Sequence, residues 1–186
     1  TVETVTLVGQ ALGTLAIEAG VASMVIGRDG RLSGPKFAEA LANGMMASGI
    51  DVIDIGCVPT PVLYFATYEL GTGSGVEITG SHNPPEYNGL KMMVDGVTLS
   101  GEQIQALKQR ILDGDLKSGQ GTLSYIDMLE RYRDRITSDL KLARPLKVVI
   151  DCGNGVAGAI APDVYRGIGC EVIELFCEVD GTFPNH

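Results

Sequence analysis

No apolar run in the 186 residues approaches the roughly 18 that a membrane-spanning helix needs. No basic-then-apolar leader opens the chain, so a cytoplasmic location and no membrane partner are expected. Basic residues are scarce: 14 Lys and Arg stand against 23 Asp and Glu, a net charge of −9. Binding along a phosphate backbone requires a concentrated basic surface, which argues against nucleic acid as a partner. A small anionic ligand needs only two or three local cations, so that class stays open. The four cysteines, Cys57, Cys152, Cys170 and Cys177, lack metal-ligand or redox spacing. Cys57, Cys152 and Cys170 lie in or beside apolar runs and read as buried thiols in a reducing compartment. What is present describes a foldable globular chain, 45% hydrophobic and only 20% charged. Its 25 glycines imply many turns and close backbone approaches. The length suits one full domain and part of another.

Taken in order, apolar residues at Val5, Val8, Leu12, Leu15, Ala16 and Ala19 mark one face of a helix ended by Gly20. Ala22–Ile26 reads as a strand. Ser33 is placed to cap a helix over 34–46, with Pro35 in its first turn. Asp51–Ile55 reads as the next strand. The stiff Gly56–Pro61 turn, with prolines on both sides of Thr60, leads to a short helix over 62–70. Gly75–Thr79 and Leu90–Val94 read as strands joined by a loop that doubles back, which makes the sheet mixed. Ser100 and Gln103 form a capping box for a helix to about Asp113. Gly114–Ser124 reads as a connecting loop, and Tyr125–Leu140 as a helix with Met128, Leu129, Tyr132 and Ile136 on one face. After Pro145, a strand over 146–150, a glycine-rich turn, a helix over 159–167 and a strand over 171–176 form the first βαβ of a second domain. The fold class is therefore α/β. A three-layer αβα domain over 1–140 with a mixed, mostly parallel sheet is followed by the start of a similar α/β domain over 141–186.

The stretch Thr79–Lys91 concentrates the chemistry. Its Gly, Ser, Asn and paired Pro residues stop regular structure and fix backbone direction. It carries one hydroxyl (Ser81), one imidazole (His82) and one ammonium (Lys91). A hydroxyl on a rigid turn beside His and Lys suits giving or receiving a charged group such as phosphoryl. The plainer reading is an ordinary surface loop. Arg28 and Arg31 follow a strand and precede a helix N-terminus, a reasonable place for an anion, and a solvated arginine paired with Asp29 is the alternative. Gly153-x-Gly155-x-x-Gly158 invites a nucleotide-binding reading but is weak evidence alone.

The thirteen residues from Thr79 to Lys91 read Thr-Gly-Ser-His-Asn-Pro-Pro-Glu-Tyr-Asn-Gly-Leu-Lys. They resemble the phosphoserine loop of the alpha-D-phosphohexomutases, written Thr-Gly-Ser-His-Asn-Pro-Pro-x-Tyr-Asn-Gly-x-Lys, and most of all its bacterial phosphomannomutase/phosphoglucomutase branch. Gly27-Arg28-Asp29-Gly30-Arg31, Val58-Pro59-Thr60-Pro61 and the 151–158 turn resemble family segments as well, and Thr79-Gly80 favours this branch over the phosphoglucosamine mutases. The resemblance implies reversible conversion of hexose 1-phosphate to hexose 6-phosphate through phosphorylated Ser81 and a hexose 1,6-bisphosphate intermediate. It implies Lys91 and His82 as acid/base or phosphate-stabilising groups, Arg28 as electrostatic support, and Arg31, Asn83, Tyr87 and Asn88 as substrate-contacting or loop-shaping residues. Mg²⁺ is implied, bridging the Ser81 phosphate to carboxylates of an Asp-Gly-Asp-Gly-Asp-Arg loop. That loop, a Tyr-Asp-Ile-Arg-Gly segment and a sugar-reading Gly-Glu-x-Ser-Gly-His loop have no counterpart here. The remaining domains of one longer polypeptide are therefore expected partners, a monomer is expected, and the stretch by itself is expected to be inactive. Residues 180–186 resemble a segment that in the family continues further. Phosphoglucosamine mutase and a non-catalytic sugar-phosphate-binding relative are the alternatives.

Overall fold

A computed structural model of the chain describes residues 1–185, so the final position of the 180–186 segment lies outside the described residues. The first helix, α1 (Val2–Glu18), starts where the Thr1 hydroxyl accepts the Thr4 amide proton at 3.2 Å. Leu12 and Ala16 of its apolar stripe are fully buried, and Val5, Val8 and Leu15 pack on the same core. α2 (Gly34–Ser48) ends at Gly49, whose φ of 104° is a left-handed conformation that glycine adopts without a Cβ clash. The two helices lie backbone to backbone. A Cβ on Gly44 would fall 1.9 Å from the Thr6 carbonyl oxygen, so only glycine permits this approach.

These helices cover one face of a six-stranded sheet. Its strands are β1 (Ser23–Arg28), β2 (Asp51–Cys57), β3 (Gly75–Ile78), β4 (Leu90–Val94), β5 (Val97–Thr98) and β6 (Leu123–Tyr125), in the order β5-β4-β3-β1-β2-β6. β3, β1, β2 and β6 run parallel, while β4 returns antiparallel to β3 and β5 antiparallel to β4. The first core joins α1, α2 and α4 (Gly101–Asp113) to the sheet through Leu12, Leu41, Met45, Ile26, Ile78 and Leu107. On the other face α3 (Thr60–Glu69) and α5 (Leu129–Asp139) pack through Val25, Val62, Leu63, Ala66 and Met128. The Phe65 and Tyr132 rings meet edge to face at 5.4 Å there. This is the expected three-layer αβα domain with a mixed, mostly parallel sheet.

The start of a second α/β unit follows. β7 (Lys147–Asp151) and β8 (Glu171–Leu175) pair in parallel and are joined by a 3₁₀ turn (Val156–Ala159) and α6 (Ala161–Gly167). Among the described residues no helix is long and apolar enough to cross a membrane.

Several local expectations are corrected. Ser33 makes no capping bond to α2: its own backbone is already helical, at φ −78° and ψ −13°, and its Oγ accepts a hydrogen bond from Asn88 Nδ2 at 2.9 Å instead. The 114–124 segment is not loop throughout. Thr122 donates from both its amide and its hydroxyl to the Asp51 carboxylate, and this docks β6 on the sheet edge beside β2. Tyr125 therefore belongs to a strand, and α5 begins at Leu129, whose amide is held by the Asp127 carboxylate at 3.0 Å. Cys57, Cys152 and Cys170 are half-buried thiols instead of fully buried ones, as is Cys177.

Candidate active site at the carboxyl ends of the central strands

The parallel strands β1, β2 and β3 end together, and open α/β sheets place ligands at that edge. Asp29–Arg31 leaves β1, Pro59–Pro61 follows β2, and Thr79–Ser81 leaves β3. With Asp151–Ala157 and Phe183 from the second unit, these segments enclose a cleft of about 800 Å³.

Ser81 stands at its mouth, exposed, with φ 54°. A non-glycine residue in that left-handed region costs of order 1–3 kcal/mol and persists only where its surroundings hold it. The holding group is Arg31. Its guanidinium is 2% exposed and slots beneath the loop, where all five of its N–H groups find acceptors. Nε donates to Asp29 Oδ2 at 3.1 Å, Nη1 to the carbonyls of Pro84 and Tyr87, and Nη2 to those of Ser81 and Asn83. The Phe183 ring covers the cation, 5.2 Å from its carbon. Gly80 makes room, since a Cβ there would fall 2.4 Å from Arg31 Cζ. Thr79 completes the staple: its hydroxyl donates to Asp29 Oδ2 at 2.7 Å and accepts the Ser81 amide at 2.9 Å. Two successive turns, Gly80–Asn83 and Pro84–Tyr87, close the loop, and the Asn83 side chain also donates to the Gly80 carbonyl.

The other predicted residues take separate positions. His82 and Asn83 line the cleft beside Ser81. Tyr87 is exposed and contributes its carbonyl to Arg31, while Asn88 bridges to Ser33. Lys91 is exposed at the rim, with Nζ 3.4 Å from the Thr60 hydroxyl on the cleft wall. Arg28 is not on the cleft wall and lies against the first turn of α2, beside Gly34. Arg31 thus faces the loop backbone, while Arg28 stands nearer the helix N-terminus. The Gly153–Gly158 turn is satisfied internally. Asp151 accepts the Gly153 amide, Asn154 binds Glu178 and Asn185, and a Cβ on Gly158 would meet the Cys177 carbonyl at 1.9 Å. Gly158 thus serves close packing against the segment after β8, while Gly153 and Gly155 line the cleft.

Sequence reasoning passed over Glu77, Thr79 and Thr60. Glu77 had a signal, an acid in the middle of the apolar run 75–78. It is 0% exposed, and among the described residues it is the one buried side chain whose polar atoms lack any hydrogen-bond partner. Burial, reinforced by the Asp29 carboxylate and opposed by the Lys91 ammonium, pushes its pKa up to about 9. The folded protein therefore keeps a proton that the unfolded chain releases above about pH 4.5. Stability consequently falls as pH rises through that interval, by about 1.4 kcal/mol per pH unit at most, and this contribution is flat below 4.5 and above 9. Glu77→Met is expected to be more stable than the parent at neutral pH, with the difference between the two growing from pH 5 to 9. Urea unfolding across that range checks it, and a difference independent of pH would refute it.

Comparison with known proteins matches two domains in succession. Residues 1–118 match the family described as phosphoglucomutase/phosphomannomutase, alpha/beta/alpha domain I, and residues 124–186 match its alpha/beta/alpha domain II. The chain is 53% identical over 186 residues to a phosphomannomutase/phosphoglucomutase of Pseudomonas aeruginosa, covering all of this chain and 40% of that protein. It is 51% identical over 181 residues to a phosphoglucomutase of Neisseria gonorrhoeae, covering 96% of this chain and 39% of that one. Among solved structures, a phosphoglucomutase/phosphomannomutase family protein from Burkholderia thailandensis superposes with a TM-score of 0.96 at 45% identity, covering 100% of this chain and 42% of that one. The chain thus spans about 40% of the length of the relatives it matches. With its domain I fold, the start of domain II and the stapled serine loop at their junction, the chain belongs to the phosphoglucomutase/phosphomannomutase family of alpha-D-phosphohexomutases.

Proposed function

We propose that the protein carrying this chain interconverts hexose 1-phosphate and hexose 6-phosphate, of glucose, mannose or both, by way of a phosphoryl group on Ser81. The observation behind this is an exposed serine in a left-handed turn, in a loop pinned by four guanidinium donors at the mouth of a cleft sized for a sugar phosphate. The names of the similar proteins support glucose and mannose as the sugars.

Phosphorylated Ser81 donates to the free hydroxyl of the bound monophosphate, giving a hexose 1,6-bisphosphate, and the other phosphate then returns to Ser81. Serine is a poor nucleophile and a poor leaving group unless a proton is supplied or removed at its oxygen. Lys91 at the rim and His82 beside Ser81 are assigned that task, with Lys91 the principal group. Arg28 adds positive potential near the strand ends, while Arg31, Asn83, Tyr87 and Asn88 shape the loop. Mg²⁺ belongs to this reading as a counter-charge to the Ser81 phosphate. Among the described residues no three His, Cys, Asp or Glu side chains converge on a metal position. In this reading the carboxylate ligands of the ion come from elsewhere in the polypeptide. We accordingly assign the chain to a cytoplasmic monomer with its domain junction at residues 140/141, and expect the isolated stretch to be inactive.

The test is transfer of label. Incubating the full-length protein with hexose 1,6-bisphosphate radiolabelled in its phosphates should place one phosphoryl group on the peptide carrying residues 79–91, located at Ser81 by mass spectrometry. Label on another residue, or none in protein that is folded and metal-loaded, overturns the assignment.

A further inference from the structure

Glu77 lies on the cleft wall, fully buried, with neither carboxyl oxygen hydrogen-bonded among the described residues. It is paired across β1 with Gly27 and across β4 with Lys91. The missing side chain of Gly27 opens the space it uses, since a Cβ there would fall 2.7 Å from Glu77 Oε2. Directly opposed residues on antiparallel strands project from the same face with Cβ atoms about 5 Å apart. The Lys91 stem therefore rises from beside the Glu77 carboxyl, and its flexible chain can turn toward it or out to the cleft. At present the ammonium is near the Thr60 hydroxyl. An acid in the middle of a buried strand costs stability and satisfies no neighbour, so structure alone gives no account of it.

We propose that Glu77 is a positioning residue that acts through Lys91, holding a proton in reserve for the lysine. The proposal rests on the phosphoryl-transfer reading given above. As the Ser81 Oγ–P bond breaks and a P–O bond to the sugar hydroxyl oxygen forms, a Lys91 N–H bond breaks and an Oγ–H bond forms, leaving a neutral amine. The Glu77 O–H bond then breaks and a new Lys91 N–H bond forms, leaving a carboxylate and an ammonium side by side. The proton shed by the attacking sugar hydroxyl returns to Glu77 through Lys91, and nothing is consumed. The charged and titratable groups facing Glu77 fit this use. Asp29 after β1 disfavours its carboxylate, Lys91 on β4 favours it, and the half-buried Cys57 thiol at the end of β2 is close enough to sense its charge. From α3, Thr60 offers a neutral hydroxyl.

The experiment compares the full-length protein with its Glu77→Gln and Glu77→Met variants. NMR of ¹³C-labelled lysine follows the Lys91 side chain across the alkaline range without reference to activity. In the parent the Lys91 signal should respond in two steps, one from Glu77 and one from the lysine itself. Both variants should show a single step. In turnover assays Glu77→Gln should lower kcat on the order of 10-fold or more, within the range general acid–base help supplies, with KM little changed and the alkaline limb of the pH profile moved. Glu77→Asp should recover part of the loss. An identical Lys91 titration in parent and variants overturns the proposal, and so does a changed titration with an unchanged kcat. If the parent itself shows no mutase turnover, the function proposed above fails, while the NMR comparison still decides whether Glu77 and Lys91 share protons.

Discussion

Ser81→Ala is expected to lower turnover on the order of 10⁴–10⁶-fold, the scale of nucleophile removal in enzymes with covalent intermediates, without unfolding the protein. No hydrogen bond of the Ser81 hydroxyl is found among the described residues, and the side chain is exposed, so its removal takes away no buried contact. The bonds that hold this residue use its amide and its carbonyl, which alanine retains. The backbone sharpens the test. With φ at 54°, glycine suits the position better than serine, by up to about 1–2 kcal/mol. Ser81→Gly should therefore unfold at equal or higher urea than the parent while being as inactive as Ser81→Ala. Stability and turnover moving in opposite directions would mark a residue retained for chemistry. Either variant keeping more than about a tenth of parental turnover would contradict the role assigned to Ser81.

Arg31→Ala should produce the largest loss of stability, about 3–5 kcal/mol, the usual cost of removing one partner of a buried ion pair. The Asp29 carboxylate would keep only the Thr79 hydroxyl and the residue-31 amide, and four loop carbonyls would each lose a donor. A domain has only about 5–15 kcal/mol in total, so the variant sits near the threshold of folding. Arg31→Lys keeps the charge, but three donors on one nitrogen cannot span Asp29 and four carbonyls, and an intermediate loss follows. The loop should also lose its geometry. A displacement of about 1 Å at the reacting group costs on the order of 100-fold in rate, so turnover should fall even in molecules that remain folded. Urea unfolding with a double-mutant cycle against Asp29→Ala separates the ion pair from the loop bonds. A loss below about 1 kcal/mol for Arg31→Ala would place Arg31 among exposed surface arginines and refute the staple.

The two variants separate two functions within one loop. Ser81 has an unused side chain and a constrained backbone, while Arg31 has a fully used side chain that supplies the constraint. Glu77 is a third case, a buried side chain whose carboxyl oxygens have no hydrogen-bond partner among the described residues.

What the sequence determined by itself was local. The period of Val5, Val8, Leu12, Leu15 and Ala16 specified α1 because a helix face needs only neighbours three and four residues away. Gly49 and Gly114 ended their helices by their own backbone freedom. Thr79–Lys91 could be read as a rigid turn because prolines, glycines and asparagines act on the chain beside them. Tertiary structure decided whatever depends on partners far along the chain. β6 forms because Asp51, 71 residues away, takes both donors of Thr122, and three residues are too few to carry an alternating pattern. Arg31 becomes the staple because carbonyls 50 to 56 residues later converge on it, and nothing in its own neighbourhood distinguishes it from Arg28. Glu77 is buried opposite Lys91 because β4 doubles back in that register, and a shift of one residue would have turned Lys91 to the other face.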